Sequence, residues 1–586
     1  MATPVRKPGP PWIGPEHEPF LIEPRRTMAS RGPLPQPGRW TWIESTVLTL
    51  YAVVVALGIA WHEPWADEAQ AWLLARDQGF WHLLLHSVRY EGSPGLWHAL
   101  LWVLARLHVG YTGMHWISGV LAAAGVCVLL RWSPFPLVLR VLLPFGFWLA
   151  YQDAVVARSY VLFAVLAFSA AALLRSMAWG AISKRRLVWL ALVLGLMANL
   201  SVHGLIASLG FAAAAVAVLR RSHTPLRIRW KTAAVVVCAF WIFAVATTVP
   251  PPDDSFGAGR NVERSVAKIR ADLGDRTARV ELASHVFSAA LGKVRPGELA
   301  PAVIPRPHWT AAQAAWHRFA RILALFTYPV STFRWLALAV CLLAILQAVL
   351  FRASLGPIGW VGLLPWLLMV LAFTSMYLAP RHAGMLWTAL VAALWITWPA
   401  ESLTSGRGLG LRRAFVALLI LVAVDQIAWT VHAVWDDIHQ PYSGDAAMAR
   451  FLAAQPPGTR IAGFYYHPVG VAAFFPHRIF FNQPHAYWEW REHVRVTPRA
   501  PATIATHPDV IVVGAFTSSP RNDNILDDWI APDPADLDRI PLNDRYGVLR
   551  YAEAHGYRET HRFCGHAFMR DGYSEELCEI ALQPAR

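Results

Sequence analysis

The stretch WHEPWADEAQAW, residues 61–72, sets two adjacent carboxylates, Asp67 and Glu68, among Trp61, Trp65 and Trp72, directly after an apolar run. A chain that only reverses direction at a membrane boundary is served by Gly, Ser or Asn. Acids at that depth suit proton transfer or cation binding. Further along, YQDAVVARSY supplies Asp153, Arg158 and Tyr160, His203 ends a later apolar run, and YLAPRHAG supplies Arg381 and His382. A carboxylate within hydrogen-bond reach takes the proton of an acceptor hydroxyl. Arg matches phosphate oxygens with a bidentate fork. Acid and guanidinium together point to transfer of a group from a phosphate to a hydroxyl.

Each residue also has a simpler reading. Asp67 with Gln70 fits a capping box, and Glu68 complements a helix dipole. Asp153 and Arg158 fit an ion pair, Arg381 an interfacial anchor, and His203 a satisfied interfacial histidine. His82 and His86 share a helix face at metal-ligand spacing but have no clear third ligand. The tryptophans Trp61, Trp65, Trp72, Trp81 and Trp97 fit an aromatic belt at a lipid–water boundary.

The elements that position these residues follow from composition. The chain is 55% hydrophobic and 15% charged, against about 25% charged in soluble domains, so we expect an all-α polytopic membrane bundle. Residues 1–40 are rich in Pro, Arg and Gly and lack a cleavable signal pattern. They are expected to be a disordered cytoplasmic tail. About 20 apolar residues cross a bilayer, and eleven spans are expected, near 43–61, 114–131, 135–150, 160–178, 187–203, 204–219, 232–250, 333–351, 358–378, 383–399 and 414–434. Odd spans running outward place Arg131, Arg140, Lys184–Arg186, Arg220–Lys231, Arg352 and Arg407–Arg413 inside, as the positive-inside rule requires. That rule accounts for much of the net charge of +14, and no nucleic-acid partner is expected.

The segment 96–110 is too short to span and reads as an interfacial helix. The first outer loop is therefore expected to hold two such helices, about 68–88 and 95–109, broken at Gly92-Ser93-Pro94-Gly95. A longer outer loop, roughly 251–332, carries Arg260, Arg264, Lys268 and Arg270. It either covers the site or forms a solvated helix. With the bundle taken as 41–434, residues 435–586 read as a small C-terminal α/β extracytoplasmic domain, with IAGFYY and DVIVVGAF as strands and DAAMARFLAA as a helix. Cys564 and Cys578 lie there and can pair in an oxidising compartment. The location expected is the plasma (inner) membrane, multi-pass, with the N-terminus cytoplasmic.

The chain has no Walker A motif, no GxGxxG after a strand and no inner-face DxD. A sugar carried on a lipid phosphate is then the natural donor. The succession of ADEAQAWLLARD, YEGSPGLWHALLWVL and YQDAVVARSYVL resembles the GT-C membrane glycosyltransferases. The nearest groups are the protein O-mannosyltransferases (glycosyltransferase family 39) and the bacterial aminoarabinose and Rgt-type lipid-linked sugar transferases. The likeness is clearest over about 43–180, topological to about 434 and absent beyond.

It implies a first-loop acidic pair, here Asp67 and Glu68, that binds the acceptor and supplies the base, with Asp67 the first candidate and Glu68 the second. It also implies roles in donor-phosphate and acceptor binding for Asp153, Arg158, Tyr160, Arg381 and His382. His382 stands where an aromatic residue is often seen, and Gly-Ser-Pro-Gly replaces the usual Pro-Pro segment. The implied activity is inverting transfer of a monosaccharide from a polyprenyl-phosphate carrier to a hydroxyl on a glycan, lipid or protein. No metal or other cofactor is required, and a divalent cation between Asp67 and Asp153 is left open. The rival readings are a flippase of lipid-linked glycans without bond chemistry, which favours midplane charges and repeated halves, and a wall-assembly scaffold.

Overall fold

In the computed structural model the first apolar run forms helix α1, Trp42–Trp61, whose start is fixed by a reciprocal cap between Thr41 and Glu44. Residues 40–179, 182–221, 229–249, 251, 310–350, 358–375, 380–399, 407–464, 466, 468–488, 499–517, 547–570 and 573–585 are described. The expected tail at 1–40 lies almost wholly outside them, and so does most of the 251–332 loop, including Arg260, Arg264, Lys268 and Arg270.

The chain is mostly helical, with a small C-terminal sheet. Among the described residues six helices are long and apolar enough to cross a membrane: α1, α4 (Gly113–Trp132), α5 (Tyr160–Trp179), α7 (Val202–Arg221), α8 (Arg229–Thr248) and α13 (Arg407–His439). Between them lie α2 (Ala66–Asp77), α3 (Leu96–Arg106), α6 (Lys184–Ala198), α9 (Ala311–Thr327), α10 (Arg334–Leu350), α11 (Leu364–Ser375) and α12 (Ala383–Thr397). The expected span near 135–150 is not one helix. It is a short α-helix, Leu137–Leu142, then a 3₁₀ turn, Leu143–Phe145, then a π-turn, Trp148–Gln152. Pro144 and Gly146 interrupt it, since Pro removes a ladder donor and Gly is a poor helix former.

Two features fix the ends of the bundle. At the start of α1, Glu44 accepts from Arg131 at 3.1 Å and Arg140 at 3.2 Å, so these basic loop residues gather at one end. Twenty residues of helix reach about 30 Å, which puts His62 and Asp67 at the other. Helix α13, at 33 residues, reaches about 50 Å and outruns a hydrocarbon core of about 30 Å. Its last turns carry Asp436 and Asp437 to the Asp67 end.

The first loop after α1 departs from expectation at one point. The helix expected over 68–88 breaks at Gln78–Gly79, between α2 and a π-distorted helix that ends at Tyr90. Ser87 donates to the Gln78 side chain, while Trp102 and Arg106 of α3 donate to the Gln78 carbonyl at 3.0 and 2.9 Å. This tertiary bracing offsets the broken helical ladder. The expected break before α3 is present, with Gly92 at a positive φ. The tryptophans divide: Trp61 and Trp81 are exposed, but Trp65, Trp72 and Trp97 are buried. Only part of the set is therefore available to a belt.

The C-terminal sheet has the order β1-β2-β4-β3, formed by β1 (Ile461–Phe464), β2 (Val510–Thr517), β3 (Tyr557–Arg570) and β4 (Tyr573–Pro584). β1 and β2 are parallel, and the other pairings are antiparallel. Cys564 and Cys578 face each other across β3 and β4 and form a disulfide. Helix α14, Asp445–Ala453, lies where a helix was expected.

The β3–β4 hairpin packs against the turn after α13, where a Cβ at Gly565 would lie 2.2 Å from the Ser443 nitrogen. Only glycine permits that approach. Behind this turn, Asp445 and Glu579 hydrogen-bond to each other. Glu63 lies beside them and accepts from the Ala446 N–H at 2.8 Å. Burial pushes the Asp445 and Glu579 carboxyls well above their ordinary range, and burial also raises Glu63, against the pull of Arg450.

An acid whose pKa is raised on folding holds a proton that the unfolded chain has released. Its contribution to stability is therefore lost as pH rises. Between about pH 5 and about pH 8, above the unfolded carboxyl range, the thermal midpoint of the purified protein is expected to fall. Glu579→Gln, which carries its own donor, is expected to flatten that slope. An equal slope in both proteins would remove the shared proton from the account.

Candidate active site

Asp67 lies on the first turn of α2, whose N-cap is Trp65 rather than Asp67. The Trp65 N–H donates to Glu68 Oε2 at 3.2 Å. Glu68 therefore does the capping, and Asp67 is left to other partners. Asp67 Oδ2 meets Arg158 Nη1 at 2.7 Å and Arg381 Nη2 at 3.0 Å. Its Oδ1 accepts from the Tyr466 hydroxyl at 3.1 Å. Four stretches that lie far apart in the sequence thus meet at one partly exposed carboxylate. The Asp153–Arg158 ion pair expected from spacing is not formed.

The second loop reaches this point because α1 lets it pass. A Cβ at Gly58 would lie 2.6 Å from Val155, so the glycine makes room for the 151–158 turn. Arg381 comes from the 3₁₀ turn Pro380–His382 that precedes α12.

Aromatic faces flank both guanidiniums. Arg381 stands 5.1 Å from the Trp65 ring and Arg158 stands 5.7 Å from the Tyr160 ring, within the range of cation–π attraction. The Tyr160 ring meets His382 edge-on at 5.5 Å, and His382 lies 5.2 Å from His203. Burial opposes the charge on Arg158, and Asp67 more than restores it. Burial, then His203 and the two guanidiniums, hold His382 well below the usual imidazole range. Burial and Arg158 bring His98 down to about 4. Burial and then Asp67 push the Tyr466 phenol well up, so it remains a donor. The arrangement is two fixed cations and a carboxylate, ringed by neutral imidazoles and phenols.

Glu68 belongs to a different layer. It is fully buried, and besides Trp65 it accepts from the Ala157 N–H, from His115 Nε2 at 2.9 Å and from His62 Nε2 at 3.3 Å. Burial alone would raise its pKa, but His115 and His62 together hold it below the carboxylate range. His62 in turn donates from Nδ1 to Asp437 Oδ2 at 3.3 Å, and the Tyr151 hydroxyl donates to the same oxygen at 2.8 Å. Burial works against the His62 charge, but Glu68 and Asp437 raise the imidazole to about 10. A carboxylate with all its acceptor directions filled is a positioning group for the neighbouring Asp67.

Asp153 is not gathered with Asp67. Its carboxyl abuts Gly384, where a Cβ would lie 3.0 Å from Oδ1. It lines an internal cavity of about 10 Å³ with Tyr51, Leu149 and Val161, room for roughly one water. Among the described residues neither of its oxygens has a hydrogen-bond partner, and burial pushes the carboxyl well up. It therefore neither orients Arg158 nor shares a cation with Asp67. The His82 and His86 rings lie 4.6 Å apart at a tilt of 35°, and no third ligand joins them among the described residues.

Sequence reasoning missed Tyr466, Tyr151 and Asp437. The C-terminal domain delivers Tyr466 and braces α2 through Gln70, which accepts from the Trp488 N–H at 2.8 Å and donates to the Trp488 carbonyl at 2.5 Å. Asp437 carried a readable signal, an acid pair closing a long apolar run. Tyr466 carried none beyond its place at the end of a strand. No family model matches the chain, and no curated protein matches it.

Glu68→Ala removes the acceptor for two backbone N–H groups and two imidazoles. The expected loss is about 3–5 kcal/mol, the scale of breaking a buried ion pair, read as a lowered unfolding midpoint in detergent. Asp67→Asn keeps a side chain of the same shape on Tyr466 but loses the charge on Arg158 and Arg381, and is expected to lower that midpoint by less than Glu68→Ala does. Equal midpoints for Glu68→Ala and the parent would deny Glu68 its positioning role.

Proposed function

We propose that this protein is an integral membrane glycosyltransferase of the GT-C type, which moves a monosaccharide from a polyprenyl-phosphate carrier to an acceptor hydroxyl at the outer face of the membrane. One observation carries the reading: Asp67, Arg158 and Arg381, from three separate loops, meet at one carboxylate with 2.7 and 3.0 Å contacts. The family resemblance supplies the reaction, and the site supplies groups of the right kind.

In the proposed topology all eleven apolar stretches cross or enter the membrane, the shorter and broken helices included. The basic cluster around Glu44 faces the cytoplasm, and the Asp67 end faces outward. The Cys564–Cys578 disulfide supports that side for the C-terminal domain, because disulfides persist in oxidising compartments.

The carrier phosphate arrives at headgroup depth and engages Arg158 and Arg381, which form bidentate contacts with phosphate oxygens. The guanidiniums then leave Asp67 Oδ2, and the freed carboxylate accepts the proton of the acceptor hydroxyl. The acceptor oxygen bonds to the anomeric carbon as the bond from that carbon to the phosphate oxygen breaks. The departing electron pair remains on the phosphate, held by the two arginines, and the anomeric centre inverts. Tyr466 keeps Asp67 oriented through its hydroxyl, and Tyr160 and His382 wall the phosphate side.

Asp67→Asn is expected to lower sugar transfer from a polyprenyl-phosphate sugar by about 10²-fold, the scale of losing a general base. Transfer at the parent rate would end the base assignment. A protein that moves the carrier across vesicles while leaving sugar and phosphate joined would instead be a flippase. Arg381→Ala is expected mainly to weaken apparent donor affinity. A donor titration that overlays the parent's would take Arg381 out of the site.

A further inference from the structure

We propose that His62, Glu68 and His115 form a divalent-cation site, selective for zinc, that clamps the first outer loop to α4 and α13. The inference does not rest on the reaction proposed above. It also puts the ion elsewhere than between Asp67 and Asp153, the place the sequence reading left open.

Three observations carry it. First, His62 Nε2, His115 Nε2 and the Glu68 carboxylate present donor atoms that all lie within 4.8 Å of one another. The His62–Glu68 and His115–Glu68 separations are 3.3 and 2.9 Å. The two imidazoles meet different oxygens of Glu68, and a tetrahedral zinc with bonds of about 2.0–2.1 Å holds its ligand atoms roughly 3.4 Å apart, so side-chain shifts on the order of an ångström seat the ion.

Second, both imidazoles are already tethered from behind. His62 Nδ1 donates to Asp437 Oδ2 at 3.3 Å, and His115 Nδ1 to the Thr112 carbonyl at 3.1 Å. A carbonyl oxygen only accepts, so His115 Nδ1 carries a proton, and an ion that displaces the Nε2 proton finds that nitrogen already facing the cluster. Such outer acceptors are the usual means of aiming a metal-binding imidazole. Asp437 Oδ1 is also buried without a hydrogen-bond partner among the described residues.

Third, the charges close. Glu68 and Asp437 together carry two negative charges in a fully enclosed site. One divalent cation between neutral imidazoles balances them, as do two imidazolium protons. Glu68 already holds the Trp65 and Ala157 N–H groups, so it stays anchored when zinc displaces the imidazole hydrogen bonds. Two nitrogen donors and a carboxylate select zinc over magnesium, which demands an all-oxygen octahedron.

The test uses the full chain in detergent, stripped with a chelator and then titrated with zinc chloride. Bound metal is measured after desalting, and the unfolding midpoint is recorded. The expected result is one tightly held zinc per chain and a raised midpoint, with magnesium chloride giving neither. Removing the ligand by His115→Ala is expected to abolish both effects, and Asp437→Asn to weaken zinc binding by about 10–100-fold. A parent protein that retains no zinc and shows no shift overturns the proposal, whatever the variants do. The cluster is then an imidazolium–carboxylate network only. His115→Ala that folds and keeps its zinc overturns it equally, because the ion would lie elsewhere.

Discussion

The organisation of this molecule depends on a single buried carboxylate. Glu68 receives hydrogen from the Trp65 and Ala157 backbone and from two imidazoles. Those donors belong to the exit of α1, the 151–158 turn and the start of α4, and His62 extends the chain of contacts to the end of α13. A buried charge without such partners would be prohibitively costly. The surrounding segments can therefore occupy few arrangements other than the one in which they converge. Asp67, one residue earlier, inherits its position from that constraint.

The two adjacent acids do opposite things because of where the helix begins. Extended backbone at Trp65 turns Glu68 back on the helix terminus and leaves Asp67 to Arg158, Arg381 and Tyr466, which meet it. Around that carboxylate the environment separates charge sharply. Arg158 keeps its proton because Asp67 faces it, while His382 and His98 lose theirs chiefly to burial.

Much of this was legible from residue types. Hydropathy located the long helices, and the unusual acids and arginines stood out against apolar surroundings. Of the basic loops, the structure ties Arg131 and Arg140 to Glu44 at the start of α1. Other features were hidden for physical reasons. The break in the 135–150 stretch arises from Pro144 and Gly146, whose local effect hydropathy averages away. Asp153 looked like a partner for Arg158 because they are five residues apart, but a tight turn sends one inward and the other to Asp67. Strands β3 and β4 escaped because YRETHRFCGHAFMR alternates too weakly and carries too many charges to resemble a buried strand. Tyr466 and Trp488 could not be read at all, since their contacts span some 400 residues of chain.

That long-range clasp has a consequence for how the molecule can change. The last quarter of the chain is stitched into α2 through Gln70 and contributes a hydroxyl to the central carboxylate. Exchanging it for an unrelated soluble module would strip Asp67 of one hydrogen-bond donor and the first loop of its brace. The bundle and its appended sheet therefore form one inheritable unit, and recombination between the two halves succeeds only where both sides of the seam travel together.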